Sequence, residues 1–258
     1  MDYQTIELEI AAGVARLTLN RPEVKNALNS QMRAEIPHAV KVAQDQARVL
    51  VITGAGDAFC SGQDLGGNGS AASLDIEQVL RDEYTPMVRA ILDCPIPTIA
   101  AVNGAAAGAG ANLALAADVV IASERAVFLQ AFTRIGLIPD AGGTYWLPRQ
   151  IGSARAMGAA LFSEPIPARQ AADWGMIWEA VPDAEFSDHV TRRADHLANG
   201  PTLAYAMAKQ ALRGTYDHTL DQQMLLEAEL QGRCGKTRDF AEGVVAFLEK
   251  RPAQFEGR

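Results

Sequence analysis

Two short segments contain glycines and small residues in positions that suit chemistry at a carbonyl oxygen. Residues 59–65 (FCSGQDL) form a glycine-containing turn directly after a predicted buried strand. Residues 102–112 (VNGAAAGAGAN) are small enough to let the backbone approach a ligand closely. A helix starting near Gly108 would also direct free N–H groups outward. Two such amides from separate turns could bind one oxygen that becomes negative during a reaction.

A third segment, residues 136–144 (GLIPDAGGT), places Asp140 among apolar neighbours at the predicted start of a helix. Burial would raise the pKa of this carboxyl group, whereas the helix N-terminus would lower it. A carboxylate in this position could transfer a proton. Other interpretations are open: the Gly/Ala runs also suit tight packing, Asp140 could be only a helix N-cap, and Asn112 could be a hydrogen-bonded polar group of the core.

Several common catalytic motifs are missing from the sequence. The four histidines lack metal-ligand spacing, and there is no Gly-x-Ser-x-Gly elbow. Residues 108–110 have no third glycine at the dinucleotide-binding spacing, and residues 235–237 (GKT) lack the first glycine of a P-loop. We therefore expect no metal and no cofactor, and chemistry carried by carboxylates and backbone amides.

Composition narrows the class of protein further. The 258 residues are 48% apolar and 21% charged, which is typical of a globular protein, and the net charge of −8 argues against nucleic-acid binding. Three dispersed cysteines suggest a reducing compartment. The N-terminus lacks the pattern of a secretory signal, and the small-residue stretch 99–122 contains polar groups that would be costly in a membrane. We expect a cytoplasmic protein that does not cross a membrane.

Strands and helices alternate along most of the chain, which predicts an α/β core over residues 1–199 and a helical region over residues 200–258. Residues 65–73 have a flexible composition. In chain order the patterns predict a hairpin of strands 6–10 and 14–19, a helix from Asn29 or Ser30 to Gln46, a strand at 49–53, a helix at about 74–93, a strand at 98–102, a helix at 108–117, strands at 118–122 and 126–129, and a helix starting near Ala141.

The three segments, together with residues 19–22 (LNRP), 26–28 (NAL) and 247–251 (FLEKR), resemble the crotonase (enoyl-CoA hydratase/isomerase) superfamily from end to end. The resemblance implies a spiral core of β-β-α units and a C-terminal helical trimerisation region. It also implies a homo-oligomer, either a trimer or a dimer of trimers. The implied substrate is a coenzyme A thioester whose carbonyl oxygen lies in an oxyanion hole, so coenzyme A enters as part of the acyl-CoA substrate.

The resemblance also assigns site residues. The oxyanion-hole amides would be those of Gln63 and Ala109, and Asp140 would be the catalytic acid/base. Phe247 and Lys250, from the same or a neighbouring subunit, would meet the adenine and a phosphate, although Lys250 could equally be a solvated helix end. The full set of expected substrate- or CoA-binding residues is Val24, Lys25, Ala27, Ser61, Gly62, Gln63, Asp64, Leu65, Gly108, Ala109, Asn112, Phe132, Pro139, Phe247 and Lys250.

The sequence departs from the hydratase pattern of this superfamily. The two glutamates that activate water in hydratases fall on Asn112 and Phe132, neither of which can act as a general base. Asp140 matches the position of the acid/base in the isomerase branch.

Residues 135–140 (IGLIPD), 174–178 (WGMIW) and 242–248 (EGVVAFL) are most like the branch of bacterial phenylacetate degradation that converts 2-(1,2-epoxy-1,2-dihydrophenyl)acetyl-CoA to oxepin-CoA. We therefore predict an enoyl-CoA isomerase of this type. The alternatives are a hydratase or another crotonase chemistry such as thioester hydrolysis, and a non-catalytic acyl-CoA-binding protein.

Overall fold

Ten strands form two sheets in the computed structural model, which describes residues 2–66 and 75–258. The strands are β1 (Ile6–Ala11), β2 (Val14–Leu19), β3 (Val49–Gly54), β4 (Ala58–Cys60), β5 (Thr98–Val102), β6 (Ala105–Ala107), β7 (Val119–Ser123), β8 (Val127–Leu129), β9 (Ile166–Pro167) and β10 (Glu179–Val181). The larger sheet has the order β1-β2-β3-β5-β7-β10 and is parallel except for the β1–β2 hairpin. The smaller sheet has the order β4-β6-β8-β9.

The helices connect these strands and continue beyond the last one. They are α1 (Ser30–Gln46), α2 (Ile76–Val79), α3 (Thr85–Leu92), α4 (Ala109–Leu115), α5 (Gly143–Phe162), α6 (Ala168–Asp173), α7 (Phe186–Ala198), α8 (Thr202–Gly214), α9 (Leu220–Cys234) and α10 (Arg238–Glu249). A π-helical turn, Leu80–Tyr84, joins α2 to α3. Among the helices that the structure describes, none has both the length and the apolar character needed to cross a membrane.

The central strands are buried on both faces, as expected for a parallel sheet covered by helices. Because successive side chains of a strand point to opposite faces, β3 contributes to two apolar clusters. Leu50 and Ile52 belong to the large cluster that includes α1, whereas Val49 and Val51 pack with the α7 side of the sheet. Packing on both faces holds β3 in place. The small-residue turns begin where β4 and β5 end.

The structure confirms the predicted fold class and most of the predicted elements. Strands occur at each predicted position, and the Asn29 side chain caps α1 by accepting a hydrogen bond from the Met32 amide. One helix boundary was wrong, since α4 ends at Leu115 instead of residue 117, whereas α5 begins at Gly143, close to the predicted start near Ala141. Most of the stretch at residues 65–73, and the expected helix start at Leu74, lie outside the described residues.

The predicted helix over residues 74–93 is interrupted where it is described. The π-helical turn separates α2 from α3, and it changes the direction in which Tyr84 points relative to a regular helix. π-helical turns are rare and often occur at functional sites.

The C-terminal helices are joined to the core by a partly buried cluster of charges. The Asp118 carboxylate, just before β7, pairs with Lys209 at 2.7 Å and Arg213 at 2.6 Å, both on α8. Lys209 also donates to the carbonyl oxygen of Ile96 at 2.7 Å. Helices α8 to α10 occupy the region predicted to be helical, and the division at residue 200 and its role in oligomerisation stay predictions.

Candidate active site

One cavity of about 510 Å³ brings the three segments together. Its walls are mostly apolar, and within the described ranges no group of three or more His, Cys, Asp or Glu side chains is arranged to hold a metal ion. The predicted site residues that line it are Ser61, Gly62, Gln63, Leu65, Gly108, Ala109, Phe132 and Asp140.

The two residues on either side of Gln63 form backbone hydrogen bonds with Leu28, whereas Gln63 itself does not. The Leu28 amide donates to the Gly62 carbonyl at 2.7 Å, and the Asp64 amide donates to the Leu28 carbonyl at 3.2 Å. In the described part of the chain no acceptor is found for the Gln63 N–H. Gly62 has a φ of +92°, and a Cβ there would lie 2.8 Å from a backbone oxygen, so the turn requires glycine.

The Ala109 amide has no acceptor within its own helix, because Ala109 is the first residue of α4. Gly108 precedes it with φ +54° and ψ −128°, a conformation that favours glycine, and its own amide donates to the Leu129 carbonyl at 2.8 Å. A Cβ on Gly62 would lie 3.4 Å from the Ala109 nitrogen, so the two turns are in direct contact. Two amides for which the described residues offer no acceptor therefore border one cavity from adjacent turns, an arrangement that can stabilise an oxyanion.

Asp140 supplies the carboxyl group of the cavity. Burial raises its pKa from 3.8 to about 6, and its Oδ1 is buried without a hydrogen-bond partner among the described residues. The interpretation of Asp140 as a helix cap is wrong, because the N-cap of α5 is Gly142 and no side chain caps that helix. A carboxyl group with a pKa near neutrality and a free oxygen is suited to accept and return a proton.

Asn112 does not face the cavity; it supports the segment that carries Asp140. Its side chain is fully buried in α4. Its Nδ2 donates to the Asp140 carbonyl oxygen at 2.8 Å, and its Oδ1 accepts from Gln130 Nε2 at 2.9 Å. Asn112 is therefore a hydrogen-bonded core group, the alternative left open by the sequence, and it fixes the backbone at the carboxylate.

The loop of Val24, Lys25 and Ala27 lies beside the first turn but does not line the cavity. Ser61 connects the two, since its amide donates to the Lys25 carbonyl at 2.9 Å and its hydroxyl donates to the Val24 carbonyl at 3.1 Å. Asn26, which is fully buried, anchors the loop through hydrogen bonds to one backbone oxygen just before β4 and to two within it.

Four other predicted residues lie away from the cavity wall. The Asp64 carboxylate is bound by Arg21 at 2.8 Å and by the Gly66 amide at 2.9 Å. Pro139 is buried and lines an adjoining cavity behind Asp140. Phe247 is 83% exposed on α10, and Lys250 is exposed at the end of that helix. In a single chain neither reaches the cavity, so their contribution from a neighbouring subunit stays a prediction.

Tyr84 is a cavity residue that the sequence did not indicate. Its side chain is 3% exposed, lines both the main cavity and the adjoining one, and donates from its hydroxyl to Gln63 Oε1 at 2.6 Å. Because Tyr84 ends the π-helical turn, a regular helical pattern could not give its direction. Arg134 and Leu137 also line the cavity and were not predicted.

The family of the chain follows from its sequence and its fold together. The sequence profile of the enoyl-CoA hydratase/isomerase family matches residues 9–258. The chain is 60% identical to a protein of Rhodobacter capsulatus named probable enoyl-CoA hydratase, over the full length of both chains. It is 45% identical to the 1,2-epoxyphenylacetyl-CoA isomerase of Escherichia coli, over 96% of this chain and 97% of that one.

A solved structure from Mycobacterium abscessus, provisionally named enoyl-CoA hydratase/isomerase, superposes with a TM-score of 0.93 at 38% identity, over 98% of this chain and 100% of that one. The enoyl-CoA hydratase of Bacillus anthracis superposes with a TM-score of 0.91 at 32% identity, over 99% and 100% of the two chains. The chain belongs to the enoyl-CoA hydratase/isomerase family of the crotonase superfamily.

Proposed function

We propose that this member of the family, an enzyme that acts on CoA thioesters, is an enoyl-CoA isomerase with Asp140 as its proton carrier. The observation that carries the proposal is the set of residues that line the cavity. Among the described residues that line it, Asp140 is the one carboxyl group, and it shares the cavity with Gln63 and Ala109, whose amides have no acceptor in the described part of the chain.

The proposed reaction needs one acid/base and one oxyanion site. The thioester carbonyl oxygen accepts hydrogen bonds from the Gln63 and Ala109 amides. The Asp140 carboxylate removes a proton from the carbon next to the carbonyl of a 3-enoyl thioester. The electron pair of the broken C–H bond is delocalised onto the carbonyl oxygen, which gives a dienolate. The protonated Asp140 then returns the proton to the far end of the former double bond, which leaves the 2-enoyl isomer. Each amide contributes a rate factor of about 10²–10³, and the proton transfer contributes about 10²–10⁴.

The surroundings of the carboxylate support isomerisation over hydration. Hydration needs a group that holds and deprotonates water, and the resemblance to hydratases places that task on positions 112 and 132. Here Asn112 is committed to two hydrogen bonds in the core, and Phe132 presents an apolar ring to the cavity. The ring makes the site drier, which favours keeping a removed proton on Asp140 until it is returned.

The substrate class we propose is the ring epoxide of phenylacetyl-CoA, with linear enoyl-CoA esters as further substrates. Support comes from the mostly apolar cavity and from the name of the 45% identical relative.

We also propose that the enzyme works as a trimer or a dimer of trimers. Leu212, Leu225, Phe247 and Leu248 on the C-terminal helices are each at least 73% exposed in the single chain, as expected of a face covered by another copy. In that assembly Phe247 and Lys250 of a second copy would meet the CoA moiety beside Val24, Lys25 and Ala27.

Hydration is the second candidate function. It is favoured by the name of the Rhodobacter capsulatus relative, which is 60% identical. In that case water would have to be activated by Asp140, since it is the available carboxyl group among the described cavity residues.

A product assay distinguishes the two functions. The purified enzyme is supplied in parallel with the ring-epoxide thioester, a linear 3-enoyl-CoA and crotonyl-CoA. Isomerisation gives oxepin-CoA or a new conjugated absorbance, whereas hydration removes the absorbance of crotonyl-CoA. We expect the first two reactions, and their loss in Asp140→Asn while the variant still binds the thioester. Rapid hydration without isomerisation would contradict the proposal, and binding without reaction or proton exchange would indicate a non-catalytic protein.

A further inference from the structure

The side chain of Gln63 is held at both of its polar atoms, although only its backbone amide faces the proposed oxyanion. Its Oε1 accepts one hydrogen bond from the Tyr84 hydroxyl at 2.6 Å and a second from Arg33 Nη1 at 3.0 Å. Its Nε2 donates to the Asp64 carbonyl at 3.0 Å. A glutamine side chain with three bonds has little rotational freedom, and this order extends to the Cα atom that bears the amide.

Arg33 is a buried cation that donates one of its hydrogen bonds to this turn and the others to residues around it. It projects from α1 and is 3% exposed. Besides Gln63 it donates to the Leu28 carbonyl at 2.6 Å, pairs with the Glu83 carboxylate at 2.8 Å, and lies 4.9 Å from the centre of the Tyr84 ring. Because Glu83 balances its charge, Arg33 acts here as a fixed set of hydrogen-bond donors.

Two independent anchors therefore flank the Gly62–Gln63 peptide. The Gly62 carbonyl is bound by the Leu28 amide at 2.7 Å, and the Gln63 side chain is bound by Arg33 and Tyr84. Glycine alone would leave this peptide free to rotate, which would turn the N–H away from the oxyanion. Both anchors together fix the direction of the amide.

We infer that Arg33 and Tyr84 are positioning residues that hold the Gln63 side chain and thereby aim the Gln63 amide at the thioester oxygen. The inference rests on the proposed function, since it assigns a task to that oxyanion site. Burial raises the pKa of the Tyr84 phenol, and the nearby Asp140 carboxylate acts in the same direction, so the hydroxyl stays a donor. Tyr84 and Asp140 line the same cavity.

Tyr84→Phe tests this role because it removes only the hydroxyl. We expect kcat for 3-enoyl-CoA isomerisation to fall about tenfold to a hundredfold with KM nearly unchanged, as for a small displacement of a catalytic group. Tyr3→Phe is the matched control, since the Tyr3 hydroxyl bonds His38 Nδ1 at 2.8 Å outside the cavity. The control should keep the full kcat.

A double-mutant cycle separates positioning from direct contact with the substrate. Gln63→Ala keeps the backbone amide but removes the side chain on which Tyr84 acts. Tyr84→Phe should then have almost no further effect in the Gln63→Ala background. Equal effects of Tyr84→Phe in both backgrounds would overturn the inference.

A spectroscopic measurement makes the result independent of the isomerase reaction. Phenylacetyl-CoA with a ¹³C-labelled thioester carbonyl lacks the enoyl double bond that isomerises, and its carbonyl stretch reports the hydrogen bonds to its oxygen. At saturation, the wild-type enzyme should lower this frequency relative to the free ligand, and Tyr84→Phe should reverse a measurable part of the shift while Tyr3→Phe does not. An equal shift in the wild type and Tyr84→Phe would refute the positioning role. No shift in the wild type would instead refute the oxyanion site of the proposed function.

Discussion

Replacing Asp140 by asparagine should make the protein more stable at neutral pH while it removes isomerase activity. Asp140 is held where burial disfavours its charged form, and its Oδ1 has no hydrogen-bond partner among the described residues. The ionised carboxylate that the reaction needs therefore lowers the free energy of unfolding of the protein.

The size and sign of that cost follow from the pKa. Folding raises the pKa of Asp140 from 3.8 to about 6. At about 1.4 kcal/mol for each pKa unit, ionisation costs the folded state at most about 3 kcal/mol. As the pH rises, the unfolded chain loses this proton first, so the cost begins near pH 4 and is complete somewhat above pH 6. Asparagine avoids ionisation but leaves its own amide without a partner, so we expect a net gain of about 1–2 kcal/mol.

Thermal unfolding at two pH values measures the effect. For a chain of this size, the gain at pH 8 corresponds to an increase in Tm of about 3–6 °C. Between pH 8 and pH 5 the difference in the free energy of unfolding between Asp140→Asn and the wild type should shrink by about 1.4 kcal/mol, which removes most of the gain. Activity of the variant should fall at least about a hundredfold at either pH.

Asp64→Asn is the matched control for this change. Hydrogen bonds from the Gly66 amide and from Arg21 lower the pKa of Asp64, so its ionised form is favoured in the folded state and the control should lower the Tm at pH 8. An unchanged or lower Tm of Asp140→Asn at pH 8 would refute the destabilising effect of the buried carboxylate. Retained activity would refute its role as the acid/base.

Three further outcomes are expected. The kcat/KM for a 3-enoyl-CoA should rise with pH and level off above an apparent pKa near 6, because the ionised Asp140 is the base; a flat profile from pH 4.5 to 8 would contradict this. Gly62→Ala should lower kcat about a hundredfold, since its Cβ would lie 2.8 Å from a backbone oxygen and displace the turn; steady-state kinetics on the folded variant check it. Asp118→Asn should lower the free energy of unfolding by about 1–3 kcal/mol, because Lys209 and Arg213 lose the charge of their partly buried partner; denaturant titration measures this loss.

Elements with a strong local signal could be predicted from the sequence. The hairpin follows from alternating apolar and polar residues around Gly13, and the start of α1 follows from the ability of Asn29 to cap a helix. The turns at Gly62 and Gly108 were also predictable, because the small residues around them allow the close approach of the backbone.

Features that depend on distant contacts could not be predicted. The π-helical turn before α3 has no residue pattern that separates it from a regular helix, so the position of Tyr84 in the cavity was missed. The task of Asn112 depends on Gln130 and on the Asp140 carbonyl, which are 18 and 28 residues away in the chain. The direction of the Asp140 pKa shift likewise required knowledge of its burial, because the sequence indicated two opposing effects.

The hydrogen bond between the Asn112 side chain and the Asp140 carbonyl bears on how this enzyme could change its chemistry during evolution. A glutamate at position 112 would bring a hydratase-type base close to the cavity, but a carboxylate cannot donate to the Asp140 carbonyl. The same substitution would thus release the loop on which the present acid depends. Ancestral or designed intermediates between the two chemistries would have to change positions 112 and 140 together. A glutamate at position 112 alone would leave the Asp140 loop without its hydrogen bond, and a change at position 140 alone would remove the present acid without adding a hydratase-type base.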